Sequence, residues 1–215
     1  MSDLVTKVLP FALGAAISPT VLVAELLVLS VPDRPRAKAA AFAAAGFAVL
    51  VVFAVLTMTV FHRANAKPDT PAMAWVDLFF AVVLLGVAVR WIVRPPARDH
   101  QAKPHRQGGI ATFAGLGLVV MLTNVTTLVL FMPAMRDIAI ADAPFSDKAA
   151  AVIVVFVITT LVLWAPLLLS VAAPHTSDRI LHPLNRFLTT HSRAVTIVVS
   201  LGFAIFLGIK GLARI

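Results

Sequence analysis

Six apolar runs divide the chain, and most of its charged residues lie in the shorter segments between them. A helix needs about 20 residues to cross the ~30 Å hydrocarbon core of a membrane. Each run is close to that length, so each predicts one membrane span. The predicted spans are residues 8–29, 39–60, 73–93, 110–132, 149–172 and 195–212. We therefore expect an all-α integral membrane protein with six transmembrane helices.

The longest polar connector, residues 95–109, separates two parts of the chain with three predicted spans each. Three prolines and two glycines in this connector prevent either neighbouring helix from continuing through it. Because three is odd, the second part must enter the membrane in the opposite orientation to the first. We predict two inverted three-helix repeats, residues 1–94 and 110–215, joined by a cytoplasmic linker.

The composition agrees with a membrane protein. The 215 residues are 60% hydrophobic and 13% charged, whereas soluble domains contain about 25% charged residues. The net charge of +8 comes from basic residues in the loops, which membrane topology explains better than a nucleic-acid partner. There is no cysteine, and the six histidines lie in loops away from intramembrane acids. We therefore expect no disulfide, no bound metal and no other cofactor.

The two sides of the membrane differ in basic charge. The segments after spans 1, 3 and 5 contain 11 lysines and arginines, against 7 on the side of the termini. Basic residues concentrate on the cytoplasmic side of membrane proteins. We therefore expect both termini of this multi-pass protein to face outward.

Glu25 is the only glutamate in the chain, and it lies inside the first apolar run. A charge in a membrane helix costs at least ~2.5 to 3.5 kcal/mol on insertion scales, so its presence favours a function. Glu25 would then bind a proton or a cationic substrate. The alternative is a structural ion pair with Arg36 or Lys38 at the same surface.

Span 1 is interrupted in its middle by Ser18, Pro19 and Thr20. Pro19 has no amide hydrogen, so the carbonyls near Ala15 and Ala16 lose their helical partner and become candidate ligands. The two hydroxyls can bind substrate or compensate the freed backbone groups. A helix kink packed by protein explains the same residues.

Span 4 has a polar interruption at the corresponding place. Paired interruptions in the two halves of a transporter point to a binding site near the midplane of the membrane. Hydrogen bonding between helices explains the polar residues of span 4 equally well. The predicted substrate and coupling residues are Ser18, Pro19, Thr20, Glu25, Thr123, Asn124 and Thr127.

Other residues are assigned to packing and to the membrane surface. Asp77 and Lys210 lie near the outer ends of spans, and we expect them to reach the interface. Residues 178–191 predict a short helix on the cytoplasmic leaflet, with packing against protein as the alternative. The glycines expected to allow close helix contacts include Gly14, Gly46 and Gly117.

Short motifs along the whole chain carry a family resemblance. The opening LGAAISPT at residues 13–20, the stretch 36–46, Trp164-Ala165-Pro166 and the tail 181–215 resemble the mycobacterial sulfolipid-addressing and peptidoglycolipid-addressing proteins of the lysine-exporter superfamily. The resemblance implies a six-helix exporter of two inverted repeats, which moves glycolipids toward the cell surface of actinobacteria. It implies a location in the bacterial inner membrane.

The chain departs from that family in span 4. The family has an Asn-Pro-Lys-Asn type of sequence, whereas residues 124–127 here are Asn-Val-Thr-Thr. The resemblance therefore carries roles over to Ser18, Pro19 and Asn124, but it supplies neither a span 4 cation nor a substrate.

Three classes of function stay open. The first is a membrane transporter or export helper for an amphiphilic lipid or glycolipid, with or without proton coupling through Glu25. The second is an exporter of small solutes such as amino acids or cations. A polar cavity closed to lipid would favour the second class, and a lateral opening between helices would favour the first. The third is a non-transporting accessory subunit of a lipid-export complex.

We expect no enzyme activity, because the predicted spans contain no nucleophile–base pair and the chain has no phosphate-binding loop. The expected partners are membrane lipids, the lipid or small-solute substrate, and either a second copy of the chain or a larger lipid-export transporter.

Overall fold

The computed structural model describes residues 2–64, 70–93, 108–172 and 174–214, with backbone alone for residues 2, 174–182 and 184–189. In these residues the protein is all-helical. The helices are α1 Ser2–Ala16, α2 Pro19–Leu29, α3 Pro35–Arg63, α4 Pro71–Val93, α5 Ile110–Thr123, α6 Val125–Ile140, α7 Phe145–Ala172 and α8 Pro174–Leu212.

The helices make this a multi-pass membrane protein. Four stretches are long and apolar enough to cross a membrane: α3, α4, α7 and the part Thr190–Leu212 of α8. Two bent pairs also qualify when each pair is taken together, which gives up to six spans. α1 and α2 are bent by 52°, and α5 and α6 are bent by 71°.

Several helices extend beyond the apolar runs that predict them. α1 begins at Ser2, α3 covers Pro35–Arg63, and α8 begins at Pro174, well before residue 195. The hydrophobic pattern marks only the part of a helix that suits hydrocarbon, and a helix can continue past it into the polar interface. Residues 178–191, for which a short surface helix is expected, are helical, but they form part of the longer helix α8. Most side chains of this segment lie outside the described residues, so the choice between the membrane surface and protein as its packing partner stays a prediction. The linker 95–109 is also outside them, except for Gly108 and Gly109.

Helix starts follow local chemistry. α2 and α3 begin with Pro19 and Pro35, where the missing amide hydrogen of proline costs nothing and its fixed φ suits a helix. Arg34 precedes α3 with a positive φ of 45°, so the chain turns sharply between α2 and α3.

The helices pack in a fixed pattern around one core. α4 packs along α8, α3 packs along α5 and α6, and α1 packs along α6 and α7. The core contains buried aromatic and aliphatic residues from most helices, among them Phe11, Phe42, Leu84, Phe131, Leu163 and Leu207. The outer faces of α4 and α7 are apolar and exposed, for example at Val82 and Ile153, as expected for helices that face lipid.

Candidate functional site

The first helix break separates α1 from α2 at Ser18. The Ser18 backbone is extended, with φ −125° and ψ 93°, and its Oγ accepts a 3.5 Å hydrogen bond from the Val21 amide at the start of α2. The Ser18 amide in turn donates to the Ala16 carbonyl at 2.9 Å. Ser18 is thus an N-cap, which satisfies one of the free amides at a helix start.

The second break separates α5 from α6 at a single residue, Asn124. Its backbone leaves the helical region, with φ −81° and ψ 71°. Its Oδ1 accepts a 3.5 Å hydrogen bond from the Thr127 amide. Asn124 therefore caps α6 in the same way as Ser18 caps α2.

The two breaks are hydrogen-bonded to each other. The amide nitrogen Nδ2 of Asn124 donates to Ser18 Oγ at 2.7 Å and to Thr127 Oγ1 at 2.9 Å. Thr127 Oγ1 donates to the carbonyl of Ala15 at 3.1 Å. Pro19 deprives that carbonyl of its helical donor, so the second half of the chain replaces the missing bond. The Ala15 carbonyl is therefore occupied by protein, which differs from the expectation that it stays free as a ligand.

A groove of about 270 Å³ lies at the point where the breaks meet. Of the predicted residues, Ser18, Pro19, Thr20, Thr123 and Asn124 line it, whereas Thr127 lies behind the lining and is buried. The remaining lining residues are Ile17, Val87, Arg90, Trp91, Val120, Val125, Thr126 and Thr196. The groove therefore brings together most of the residues that the sequence singled out.

The predicted site residues leave out four polar or aromatic residues of the lining: Arg90, Trp91, Thr126 and Thr196. Arg90 and Trp91 lie in the last turn of α4, and Arg90 was counted only as a basic residue that sets orientation. The sequence signal that could have identified Arg90 and Trp91 is a cation next to a tryptophan at the end of a span. Such pairs also anchor ordinary helices at the membrane interface, so the signal is not specific for a binding site.

The groove is open to the side of the helix bundle. Two apolar lining residues are well exposed, Ile17 at 46% and Val125 at 42%, and Thr20, Thr123 and Arg90 are exposed as well. The deepest polar groups belong to the buried Ser18 and to Asn124. The groove thus has a polar floor and a partly apolar rim, which suits a ligand with both kinds of surface.

The electrostatics of the groove favour a negative group. Both α2 and α6 begin at the groove, and the first turn of a helix has amides without an intrahelical acceptor and a partial positive charge. Arg90 adds a full positive charge at the rim. In transporters, half-helix starts of this kind point at anionic substrate groups.

Glu25 lies outside the groove lining, two turns further along α2. It is fully buried, and neither carboxylate oxygen has a hydrogen-bond partner among the residues that the structure describes. The alternative of a structural ion pair is wrong: Lys38 Nζ binds Asp33 Oδ2 at 3.4 Å, and Arg36 Nη2 donates to the Ser170 carbonyl at 2.8 Å.

A buried ion-pair network joins α4, α6 and α8, and sequence reasoning missed it. Asp77 binds Arg136 at 2.6 Å and Arg214 at 3.0 Å. Asp137 binds Arg136 at 2.6 Å and Lys210 at 2.7 Å. The expectation that Asp77 reaches the membrane interface is therefore wrong, because Asp77 is fully buried. Lys210 is one-fifth exposed, and it pairs with Asp137. Each charge alone resembles an ordinary span-end residue, and the pairing appears only on folding.

Two of the three packing glycines lie at close helix contacts. A side chain at Gly117 would collide with the backbone carbonyl of Phe42 in α3, and one at Gly14 would collide with the ring of Phe203. Gly46 is less crowded, since the nearest atoms of Leu163 would be 3.4 Å from an added Cβ.

The comparisons with known proteins bear on the whole chain. Residues 8–213 match the family model described as Sap, sulfolipid-1-addressing protein. The chain belongs to this family. Searches of curated proteins and of solved structures give no match.

The family match confirms the sulfolipid-addressing resemblance seen in the sequence. The matched region covers both helix breaks and the ion-pair network up to Lys210. The groove is therefore built entirely from residues within the family region.

Proposed function

We propose that this member of the sulfolipid-addressing family moves an amphiphilic lipid with an anionic head group across its membrane. The observation that carries the proposal is the groove at the paired helix breaks, with its polar floor and its side opening. The head group would lie against Ser18 and Asn124, and the acyl chains would leave past Ile17 and Val125 into lipid.

The side opening supports a lipid over a small solute. A carrier of amino acids or inorganic cations needs a cavity that lipid does not enter, whereas Ile17 and Val125 at the rim are exposed at 46% and 42%. The volume of about 270 Å³ suits a head group whose tails stay in the membrane.

The charge of the groove supports an anionic head group. Arg90 and the starts of α2 and α6 all present positive charge to the same space. The family name refers to a sulfolipid, and a sulfate ester is an anion at neutral pH. We therefore propose a sulfated or otherwise anionic glycolipid as the substrate class.

We further propose six spans arranged as two inverted repeats, with α1–α4 related to α5–α8. Each bend is below 90°, so the second helix of each bent pair continues across the membrane in the direction of the first. Most helix contacts come in matched pairs under this exchange. Thus α3–α5 corresponds to α7–α1, α3–α6 to α7–α2, and α2–α8 to α6–α4.

Two residue pairs support the same relation between the halves. Ser18 and Asn124 both cap the helix after a break. Lys38 and Lys148 each lie three residues after the first residue of α3 and α7, and each binds an oxygen from the preceding segment, Asp33 and Ala139 respectively. Such inverted repeats are frequent in secondary transporters, and the resemblance to the lysine-exporter superfamily implies the same arrangement.

The test uses purified protein in vesicles that contain a fluorescent sulfated glycolipid, with a membrane-impermeant quencher outside. Lipid movement is measured as the rate at which the inner-leaflet label becomes quenchable. Thr127→Val removes the hydroxyl that joins Asn124 to Ala15, and leaving such buried groups unpaired costs about 1 to 3 kcal/mol. We expect the rate to fall by about tenfold or more.

Thr160→Val is the matched control. The Thr160 hydroxyl donates only to the Phe156 carbonyl of its own helix, outside the groove, so this variant should move lipid at the normal rate. Equal rates for empty vesicles and vesicles with the unmodified protein would contradict the proposal. Export of an encapsulated amino acid without lipid movement would support the small-solute alternative instead.

A further inference from the structure

The groove lies at one end of the α4–α8 pair. At this end, which we call the groove end, Arg193 of α8 donates to the carbonyls of Trp91 and Ile92 at 3.1 and 3.0 Å. The groove residues Val87, Arg90 and Trp91 lie in the last two turns of α4, close to this contact. The groove therefore lies next to the groove end, and its exposed rim residues make it accessible from the side.

The opposite end of the same helix pair is closed. At this end, which we call the terminal end, Arg214 binds Asp77 and Lys210 binds Asp137. Arg136 lies between the two acids, so five charges alternate in sign from α8 through α6 and α4. The central residues Asp77 and Arg136 are fully buried, whereas Lys210 and Arg214 are about one-fifth exposed.

The network occupies the place where an inverted repeat would put a second groove opening. Under the exchange of α4 and α8, the last turn of α4 corresponds to the last turn of α8. Arg90 lines the groove from the first position, and Lys210 belongs to the network at the second. Likewise Thr196 lines the groove near the start of the membrane part of α8, and Asp77 lies near the start of α4.

We propose that the ion-pair network is a gate, and that its opening exposes the polar floor of the groove to the terminal end. The inference rests on the proposed function, because a carrier must open alternately on the two sides of the membrane. In this structure the gate is shut, because its ion pairs are formed.

Three features favour a gate over a purely structural contact between helices. Ion pairs in a low-dielectric interior add little net stability, because desolvation offsets their attraction. The two outer cations are within reach of water, so hydration can compete for them. The network also has three cations for two acids, so an arriving anionic head group finds a cation with which to pair.

Among the residues that the structure describes, the network belongs to the terminal end only. α6 has 16 residues and α2, its counterpart, has 11. The additional turns of α6 contain Arg136 and Asp137, and α2 has no residues at the equivalent positions. Within the described part of the chain the two ends therefore differ in charge, so the carrier can bind its head group with different strength on the two sides.

The test measures thiol accessibility, since the natural chain has no cysteine. Leu207→Cys places a thiol one turn below Lys210 on the same face of α8, where the natural side chain is fully buried. Thr196→Cys places a second probe in the groove. In vesicles opened to a water-soluble maleimide on both sides, we expect Thr196→Cys to react and Leu207→Cys to stay protected.

Lys210→Met then removes one charge of the gate at similar side-chain length. We expect labelling of Leu207→Cys to rise by about tenfold, through a shift in population, and labelling of Thr196→Cys to fall. Lys210→Arg keeps the charge and should behave like the natural residue. Asp77→Asn, which loosens the buried centre, should act in the same direction as Lys210→Met.

The control is Val155→Cys, at a fully buried position of α7. Its labelling measures a general loosening of the helix packing. If labelling of Val155→Cys rises together with that of Leu207→Cys in the gate variants, the network only holds the helices together and the proposal is wrong. Continued protection of Leu207→Cys in both gate variants would also overturn it. Labelling needs no lipid substrate, so a failed lipid assay with the expected labelling would reject the transport of lipid and leave the change of access standing. Normal lipid movement without that change would reject the gate alone.

Discussion

Two buried ionisable side chains near the end of α2, Glu25 in α2 and Lys38 in α3, have opposite surroundings. Lys38 binds Asp33 and lies 5.2 Å above the ring of Phe113. Glu25 is fully buried, and its two oxygens have no partner within the part of the chain that the structure describes. An unpaired buried carboxylate is costly enough that the group is better accommodated as the neutral acid. We therefore expect Glu25 to hold a proton in this conformation.

Among the side chains that the structure describes, the cations of the helices around α2 bind groups other than Glu25. α3 contributes Arg36 and Lys38, which bind Ser170 and Asp33. In α8, Arg193 binds the end of α4 and Lys210 binds Asp137. α5 has no charged residue, and α7 has Asp147 and Lys148 only in its first turn. Glu25 can therefore exchange its proton without breaking an ion pair that the structure describes.

Glu25→Gln should leave the protein folded, because the amide resembles the neutral acid in size and removes only the proton-exchanging group. Lipid movement should continue down a concentration gradient but lose its response to an imposed pH gradient. The measurement combines thermal unfolding in detergent with the quenching assay in vesicles at two external pH values.

Asp33→Asn is the matched amide control. It weakens the only ion pair described for the buried Lys38, whose partner Asp33 is 75% exposed, so it should lower stability by at most about 1 kcal/mol while the pH response persists. An unchanged pH response in Glu25→Gln would contradict a coupling role for Glu25. Strong destabilisation of Glu25→Gln would show that the carboxylate is ionised and paired.

The two bent helix pairs, α1–α2 and α5–α6, show how much of the structure can be predicted from local sequence patterns. Pro19 and the polar residues around it predict a break between α1 and α2, and residues 123–127 predict one between α5 and α6; both breaks are present. The hydrogen bond from Asn124 to Ser18 joins residues 106 positions apart. No local sequence pattern predicts this hydrogen bond, because it depends on how the two halves of the chain pack against each other.

Close packing between α3 and α5 gives the element-scale prediction. Gly117→Ala would push a methyl group into the Phe42 carbonyl, so α5 must move away from α3. We expect a loss of about 1 to 3 kcal/mol in stability, as for other overpacked contacts. Thermal unfolding in detergent measures the loss.

Gly115→Ala, on the same helix, is the control. An added Cβ there meets nothing within 4 Å, and alanine favours a helix over glycine by roughly 0.5 to 1 kcal/mol. This variant should unfold at the same temperature as the natural protein or slightly higher. Equal behaviour of the two variants would mean that the contact at Gly117 is loose.

At the scale of the whole molecule, hydrophobic periodicity predicts an all-helical membrane protein because hydrocarbon imposes a length and a composition on every span. It does not predict the ion-pair network. Asp77, Arg136 and Lys210 each lie near the end of an apolar run, where a charge usually reaches water. Whether such a charge turns outward or inward depends on the neighbouring helices, and that information is spread over three distant segments of the chain.

The orientation of the molecule decides which way the groove opens. The bias of 11 basic residues against 7 predicts that the groove end faces the cytoplasm and the gate faces outward. Single cysteines at Asp69 and Asp142 should then react with an impermeant maleimide added to whole cells, and cysteines at Arg98 and Arg186 should react only after permeabilisation. Under this orientation the lipid enters from the cytoplasmic leaflet and the gate controls its release, as export requires. The reverse labelling pattern would place the open groove outside, and the same structure would then be the releasing state of an exporter or the loading state of an importer.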